Sequence, residues 1–339
     1  MSIAPGVIIA APSSGSGKTL LTLGLLRALK NNGLKAASFK VGPDYIDPEF
    51  HHYSSEQPCF NLDPWAMSQE LLCDNYRAAS DGSDIVIGEG VMGLFDGAQD
   101  GRGSTADLAA LLNLPIILVV DGKGQSASMG ALLHGFNSFR EGTRLAGVIF
   151  NRVSSSHHAK LLSQAAEEIG IPTLGALPKL EALVTPSRHL GLVQASENSQ
   201  LESFIQQAAD TVAYHIDLEK LRGIAAQPTL VAGSSNMPPP GQRIAVAKDM
   251  AFSFCYPHWL HQWRHAGAEI SFFSPLADEG PAKDVDFIYL PGGYPELHAG
   301  TLSTNQHFKA AMREAAASHT PIFGECGGYM TLGRTLTDQ

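Results

Sequence analysis

A glycine-rich segment near the start of the chain has the residue types and spacing of a phosphate-binding loop. Residues 11–19 read APSSGSGKT, after an apolar run at residues 7–11 and before leucines at helical spacing. A strand, a loop and a helix in this order let backbone N–H groups face one anion. The residues expected to bind a nucleotide are Gly15, Ser16, Gly17, Lys18 and Thr19. A strict motif has glycine where this chain has Pro12, and the alternative interpretation is a glycine- and serine-rich βα turn.

Acidic residues follow two of the next apolar runs. Residues 39–51 read FKVGPDYIDPEFH and include Asp44 and Asp47, whereas Glu89 ends the run at residues 84–88. P-loop enzymes hold Mg²⁺ with a carboxylate at the end of a buried strand and with the hydroxyl of the loop. We therefore expect Thr19, Asp47 and Glu89 to ligate Mg²⁺. The alternatives are that Asp44 and Asp47 cap a turn and that Glu89 caps the turn after it.

The elements that position these residues form a doubly wound α/β domain. Apolar runs with little alternation, at residues 36–40, 85–88, 116–120 and 146–150, predict parallel strands covered on both faces. A helix is predicted over residues 18–31, another is expected to open with capping residues at 125–128, and runs at 175–179 and 190–193 complete the domain. Ligands gather at the carboxyl ends of such strands. Asn151, at one such end, is equally suited to contact a nucleobase or to form a turn.

Composition and charge restrict the class of protein. The chain has 339 residues, 23 Lys and Arg against 33 Asp and Glu, and a net charge of −10 without a basic cluster. This balance argues against nucleic acid as a partner. The four cysteines lie far apart with no C-x-x-C pair, and neither a leader segment nor a membrane span is recognised. We therefore expect a cytoplasmic enzyme without a disulfide framework, and a homodimer is compatible with the sequence.

A second α/β domain follows a linker rich in proline and glycine. The predicted division is residues 1–222, a linker at 223–242 and a C-terminal domain at 243–339. In that domain the segment GECGG places Cys326 between glycines at a strand-to-helix turn, as in a nucleophile elbow, and the helix N-terminus favours a thiolate. The expected oxyanion donors are the N–H groups of Gly292, Gly293 and Gly327. A buried, inert cysteine is the alternative.

These motifs together resemble the cobyrinate/hydrogenobyrinate a,c-diamide synthase family of cobalamin biosynthesis. The resemblance rests on the loop at 11–19, on VGPDYIDP at 41–48, EGVMGLFDG at 89–97, PGGYPE at 291–296 and ECGG at 325–328. It implies an N-terminal P-loop domain similar to dethiobiotin synthetase and a C-terminal domain similar to class I glutamine amidotransferases. It also implies that ATP phosphorylates corrin carboxylates and that ammonia from L-glutamine converts them to amides.

The resemblance also implies roles for individual residues. Lys18 and Lys40, together with Mg²⁺, would screen the negative charge of phosphoryl transfer. Asp44 would lie near the substrate carboxylate or the metal, and Cys326 would attack glutamine. Family members carry the histidine that activates this cysteine well downstream of it. We therefore expect the glutaminase domain to be incomplete in this chain. An incomplete domain should expose apolar surface and make the protein poorly soluble. It should also hydrolyse glutamine inefficiently, although the synthetase domain could still use free ammonia. The upstream histidines 258, 261 and 265 are predicted on a surface helix.

Three other classes share part of this pattern. Cobyric acid synthase acts on other corrin carboxylates, but the stretch at 41–48 favours the a,c enzyme. Switch ATPases of the partitioning type share the deviant loop but carry a further lysine where this chain has Ser13, and they lack a thiol domain. A carboxylate-activating enzyme similar to dethiobiotin synthetase, with an unrelated tail, would not react with a glutamine analogue at Cys326.

Overall fold

The computed structural model describes residues 3–179, 187–188, 191–192, 201–233 and 237–335. It divides into two compact units, Met1–Ser235 and Asn236–Gln339. The division lies within the predicted linker at 223–242, although the first two residues of that segment belong to the helix Leu218–Ile224. The predicted strand at 190–193 falls partly outside the described residues. Along the described chain, no helix combines the length and apolar character needed to cross a bilayer.

The N-terminal unit is built on a seven-stranded parallel sheet of order β3-β2-β4-β1-β5-β6-β7. Its strands are β1 Gly6–Ala10, β2 Ala36–Val41, β3 Cys59–Leu62, β4 Ile85–Glu89, β5 Ile116–Asp121, β6 Leu145–Val153 and β7 Thr173–Pro178, and a short antiparallel pair follows at β8 Ser187–Arg188 and β9 Gly191–Leu192. The helices are α1 Lys18–Asn31, α2 Asp47–Ser55, α3 Gln69–Ser80, α4 Thr105–Leu112, α5 Ser128–Ser138, α6 Ser156–Glu167, α7 Leu201–His215 and α8 Leu218–Ile224.

Helices cover both faces of this sheet, as the continuous apolar strands predict. On β1, Val7 and Ile9 are buried against the core that includes α1, whereas Ile8 is buried in the core on the opposite face. Helix α1 lies close to α7 at Gly24, where an added Cβ would stand 2.8 Å from the Ala208 carbonyl oxygen. The doubly wound fold is therefore confirmed. It brings the ends of β1, β2 and β4 together at one edge.

The C-terminal unit has a four-stranded parallel sheet of order β11-β10-β12-β13. Its strands are β10 Arg243–Ala247, β11 Glu269–Phe273, β12 Phe287–Leu290 and β13 Ile322–Gly324, and its α-helices are α9 Pro257–His265, α10 Ala299–Thr304, α11 Gln306–Ala317 and α12 Gly327–Met330. Apolar side chains are exposed on both edge strands, with Phe272 at 43% and Phe323 at 45% exposure. The predicted low solubility stays a prediction.

Two local predictions are wrong. Residues 125–128 do not cap α5 with a side chain, because its N-cap is Ala127, which has no hydroxyl or carboxylate to offer. Helix α9 is not a purely surface helix, because His258 is only 2% exposed and Trp263 is buried in the core with Tyr289.

Candidate active sites

The loop between β1 and α1 has the backbone geometry of a phosphate-binding loop. Gly15 and Gly17 have φ values of 76° and 92°, which side chains other than glycine rarely adopt, and the Ser16 hydroxyl donates to the Ser13 carbonyl at 2.9 Å. The Lys18 ammonium donates to the Met92 carbonyl at 2.6 Å. Burial lowers the pKa of Lys18 from its ordinary value, although Glu89 opposes this effect.

Two residues at the end of β6 donate hydrogen bonds to backbone carbonyls of this loop. The Asn151 side-chain amide donates to the Ser16 carbonyl at 2.9 Å, and Arg152 donates to the Gly15 carbonyl at 2.9 Å and pairs with Asp121 at 2.6 Å. A small pocket lies beside Asn151. Its lining residues are Gly17, Leu20, Leu21, Asn151, Leu177, Ala208, Thr211 and Val212. The sequence left open whether Asn151 contacts a nucleobase or forms a turn. The structure shows a further role, because Asn151 supports the loop through the Ser16 carbonyl.

A buried cluster of charged residues lies at the ends of β2 and β4. The Lys40 ammonium donates to Asp47 Oδ2 and, at 2.9 Å, to Glu89 Oε1, while the Thr19 hydroxyl donates to Glu89 Oε1 at 2.7 Å. Lys40 and Glu89 come together because they are partners in the parallel register of β2 and β4. Thr19 also lies 3.4 Å from Asp47 Oδ2. The structure therefore groups the three residues expected to ligate Mg²⁺.

The pKa values in this cluster reflect burial and pairing. Burial alone would lower the pKa of Lys40, but Glu89 and Asp47 outweigh it and raise that pKa. Burial would likewise raise the pKa of Glu89, but Lys40 and His51 hold it well below its usual range. Burial raises the pKa of Asp47 to about 6, and the attraction of Lys40 only partly offsets this shift. At neutral pH the positive Lys40 therefore stabilises the negative Asp47 and Glu89, which repel one another.

Asp44 forms the turn that was considered as one alternative for it. Its Oδ1 accepts from the backbone N–H groups of Ile46 and Asp47 at 2.9 and 3.0 Å, which is an Asx-turn. Its Oδ2 lies 3.9 Å from the Lys40 ammonium. Asp44 is thus a turn residue whose second oxygen faces the cluster.

Sequence reasoning missed His51. This fully buried residue of α2 places Nε2 2.7 Å from Glu89 Oε2 and Nδ1 3.5 Å from Cys59 Sγ. Burial opposes protonation of the ring, but the neighbouring Cys59 and Glu89 outweigh it and raise the pKa of His51 to about 10. The only sequence signal is the spacing of four from Asp47, which places both residues on one face of a helix. Among the described residues, no group of three or more His, Cys, Asp and Glu side chains forms a metal cage.

The second candidate site is the turn between β13 and α12. Cys326 is exposed and has φ 47° and ψ −121°, a strained backbone conformation. A Cβ added to Gly328 would stand 2.0 Å from the Leu290 carbonyl oxygen, and one on Gly292 would stand 3.0 Å from the Cys326 Cβ. The elbow therefore needs glycine both in α12, at Gly328, and in the loop after β12, at Gly292. Its cysteine is exposed, unlike the inert core cysteine considered as the alternative.

The histidines of this unit that the structure describes have other surroundings than the Cys326 thiol. No hydrogen bond joins Cys326 to any histidine that the structure describes. His258 is buried, and burial lowers its pKa to about 3, while His307 Nδ1 lies 2.9 Å from the Asp278 carbonyl. Beside the elbow, Glu325 accepts a hydrogen bond from the buried Tyr289 hydroxyl.

Comparison with known protein families defines the class. Residues 7–193 match the CobQ/CobB/MinD/ParA nucleotide binding domain, and residues 243–339 match the CobB/CobQ-like glutamine amidotransferase domain. A nucleotide-binding domain joined to a glutamine amidotransferase domain is the arrangement of an amide-forming ligase. These two matches confirm, at the level of the domain families, the resemblance that was stated from the motifs.

Curated relatives give the particular family. Hydrogenobyrinate a,c-diamide synthases from Brucella anthropi, Rhizobium meliloti and Rhodobacter capsulatus are 56%, 54% and 50% identical, each over 98% of this chain and 77% of the relative. The chain belongs to the hydrogenobyrinate a,c-diamide synthase family. A solved structure of chloroplast FtsY from Physcomitrella patens is 16% identical, with a TM-score of 0.38 over 61% of this chain and 66% of that structure's chain.

Proposed function

We propose that the chain uses ATP to phosphorylate the a and c carboxylates of hydrogenobyrinic acid and that ammonia then displaces the phosphate to form the amides. A carboxylate is a poor acyl electrophile until one of its oxygens becomes a leaving group. Transfer of the γ-phosphoryl group to that oxygen forms an acyl phosphate. Attack by ammonia breaks the C–O bond to phosphate and releases inorganic phosphate. The names of the relatives support the cobalt-free corrin over cobyrinic acid.

The observation that carries the proposal is the joining of the phosphate loop to the charged cluster. Thr19 of the loop donates to Glu89, which is also paired with Lys40. Phosphoryl transfer depends on positioning and on screening of negative charge. Lys18 and Lys40 would supply positive charge, and Asp44 would lie near the substrate carboxylate or the metal. Asn151, at the carboxyl end of β6, would contact the nucleobase.

The donor set fits Mg²⁺. The Thr19 hydroxyl lies 2.7 Å from a carboxylate oxygen of Glu89 and 3.4 Å from one of Asp47. Such hard oxygen ligands, few in number, suit an ion that completes its shell with waters and substrate phosphates. We assign Thr19, Asp47 and Glu89 as the residues that would hold Mg²⁺. The ion would supply charge that screens the phosphates.

The C-terminal unit is proposed to supply nitrogen. The Cys326 thiolate attacks the amide carbon of L-glutamine, and the N–H groups of Gly292, Gly293 and Gly327 stabilise the oxyanion. The C–N bond breaks as the leaving nitrogen takes up a proton and departs as ammonia, and water hydrolyses the thioester to glutamate and the free thiol. The exposed thiol and its strained backbone support this role. Residues 1–222 and 243–339 remain our proposed domains.

The test is incubation of the protein with ATP, Mg²⁺ and an ammonium salt, with hydrogenobyrinic and cobyrinic acids offered separately. Mass spectrometry is expected to show two successive amidations of the hydrogenobyrinic acid. Lys18→Met should abolish them, whereas Lys160→Met, at an exposed position on α6, should not. Amide formation that is unchanged in Lys18→Met would refute the proposed chemistry.

A further inference from the structure

We infer that His51 is a positioning residue that orients the carboxylate of Glu89 for Mg²⁺. The inference rests on the proposed function, because it concerns a proposed ligand of the metal. The hydrogen bonds of the His51 ring go to Glu89 and Cys59. Its role follows from the way in which the hydrogen-bond partners of Glu89 are divided between the two carboxylate oxygens.

The two oxygens of Glu89 face different sides. Oε1 accepts from Thr19 at 2.7 Å and from Lys40 at 2.9 Å, whereas Oε2 lies 2.7 Å from His51 Nε2. A carboxylate that is paired with the Lys40 ammonium accepts hydrogen bonds and does not donate them, so Nε2 carries the proton and donates it to Oε2. The carboxylate plane is thereby fixed, and Oε1 is the oxygen presented to Thr19.

The ring of His51 is itself fixed. Its Nδ1 lies 3.5 Å from Cys59 Sγ on β3, and both side chains are buried, at 0% and 1% exposure. Asp47 lies one helical turn before His51 on α2. One helix therefore carries a proposed metal ligand and the residue that orients a second ligand.

Loss of His51 would change the orientation of Glu89. Oε2 would be buried without a donor, and a buried acceptor without a partner is costly. Rotation of the carboxylate to share both oxygens with Lys40 would relieve this cost. It would also draw Oε1 away from Thr19. Outer partners of metal ligands typically contribute about 10- to 100-fold to metal affinity.

The experiment measures ATP binding by calorimetry, first in EDTA and then at increasing Mg²⁺. We expect His51→Ala to need about 10- to 100-fold more Mg²⁺ for the same ATP affinity, with metal-free ATP binding changed less than about twofold. His51→Gln, which can donate an N–H to Glu89, should restore part of the difference. Cys59→Ala should raise the Mg²⁺ requirement by a smaller factor. This variant provides the test if His51→Ala does not fold.

The matched control is His52→Ala, at the next and exposed position of the same helix, where no change is expected. An unchanged Mg²⁺ requirement in His51→Ala would overturn the inference. An equal loss of ATP binding with and without Mg²⁺ would also overturn it, because it would indicate general damage to the site. If the wild-type protein binds no ATP under either condition, the proposed function falls, and the inference falls with it.

Discussion

The two candidate sites hold their reactive groups by different means. In the N-terminal unit, the side chains of Lys40, Asp47 and Glu89 are buried and fix one another through ion pairs. In the C-terminal unit, Cys326 is exposed and is held by its backbone, at φ 47° and ψ −121°, among glycines. The first site should therefore fail when a charge is removed. The second should fail when a single methyl group is added.

The largest effect is expected for Lys40→Met, which keeps the aliphatic stem and removes the charge. Glu89 and Asp47 would then lose the cation that pairs with both. Breaking a buried pair typically costs about 3–5 kcal/mol, so the free energy of unfolding should fall by about that amount. Urea unfolding measures the loss, and ammonia-dependent amide formation should also disappear. Lys160→Met is the control, and equal stability of the two variants would contradict the buried pairing.

In the C-terminal unit, we expect the free energy of unfolding to change by a few kcal/mol with pH. The pKa of His258 is about 3 in the folded chain, because of burial, and near 6.5 when unfolded. The unfolded state therefore binds more protons between these values, so the stability is present above pH 6.5 and is lost as pH falls toward 3. Wild type should lose more stability on acidification than His258→Phe. Fluorescence of Trp259 and Trp263, which lie in this unit, reports the unfolding. Identical pH profiles would show that His258 does not titrate on unfolding.

A somewhat smaller effect is expected for Gly328→Ala. The added methyl group would stand 2.0 Å from the Leu290 carbonyl oxygen, so the elbow must shift, at a cost of about 1–3 kcal/mol. Alkylation of Cys326 by a glutamine-analogue electrophile should slow by about tenfold or more, since 1.4 kcal/mol is about tenfold in rate. Gly300→Ala, where no atom lies within 4 Å of the added group, is the matched control. Equal labelling of both variants would mean that backbone packing does not position the thiol.

The smallest effect is expected for Asn151→Ala. This change removes a 2.9 Å hydrogen bond to the Ser16 carbonyl, which is worth about 0.5–1.5 kcal/mol. The affinity for ATP with Mg²⁺, measured by calorimetry, should fall by about 2- to 12-fold, which is that free energy converted at about 1.4 kcal/mol per tenfold. Asn31→Ala, at an exposed position of α1, should leave it unchanged. A loss above about 100-fold would indicate that Asn151 does more than support the loop and line the pocket.

Local patterns predicted the elements that carry the phosphate loop. The helix predicted at residues 18–31 is α1 Lys18–Asn31, because left-handed Gly17 and the buried leucines define its start and its inner face. The pairing of Lys40 with Glu89 was not predictable, because it depends on which strands are neighbours. Strand β3, Cys59–Leu62, was missed because four residues give too little periodicity.

Single residues were harder to predict than elements. His51 is one histidine on a helix with an exposed histidine beside it, so its type alone does not distinguish a core position from a surface position. His258 was placed on a surface for the same reason, although aromatic neighbours on α9 turn inward. The sequence also pointed to a strained turn at Cys326, since flanking glycines are needed where backbone segments approach closely.

The ammonium of Lys40 has a consequence for how the protein is assembled. Carboxylates gathered for a divalent ion would repel one another before that ion arrives, but here an internal cation already lies between Asp47 and Glu89. We therefore expect the N-terminal unit to reach its native state without a metal ion. It differs in this respect from small zinc domains, in which folding waits for the metal. Chelator-treated protein should therefore keep the melting profile of untreated protein, because Lys40 already holds the two carboxylates of the proposed metal site together.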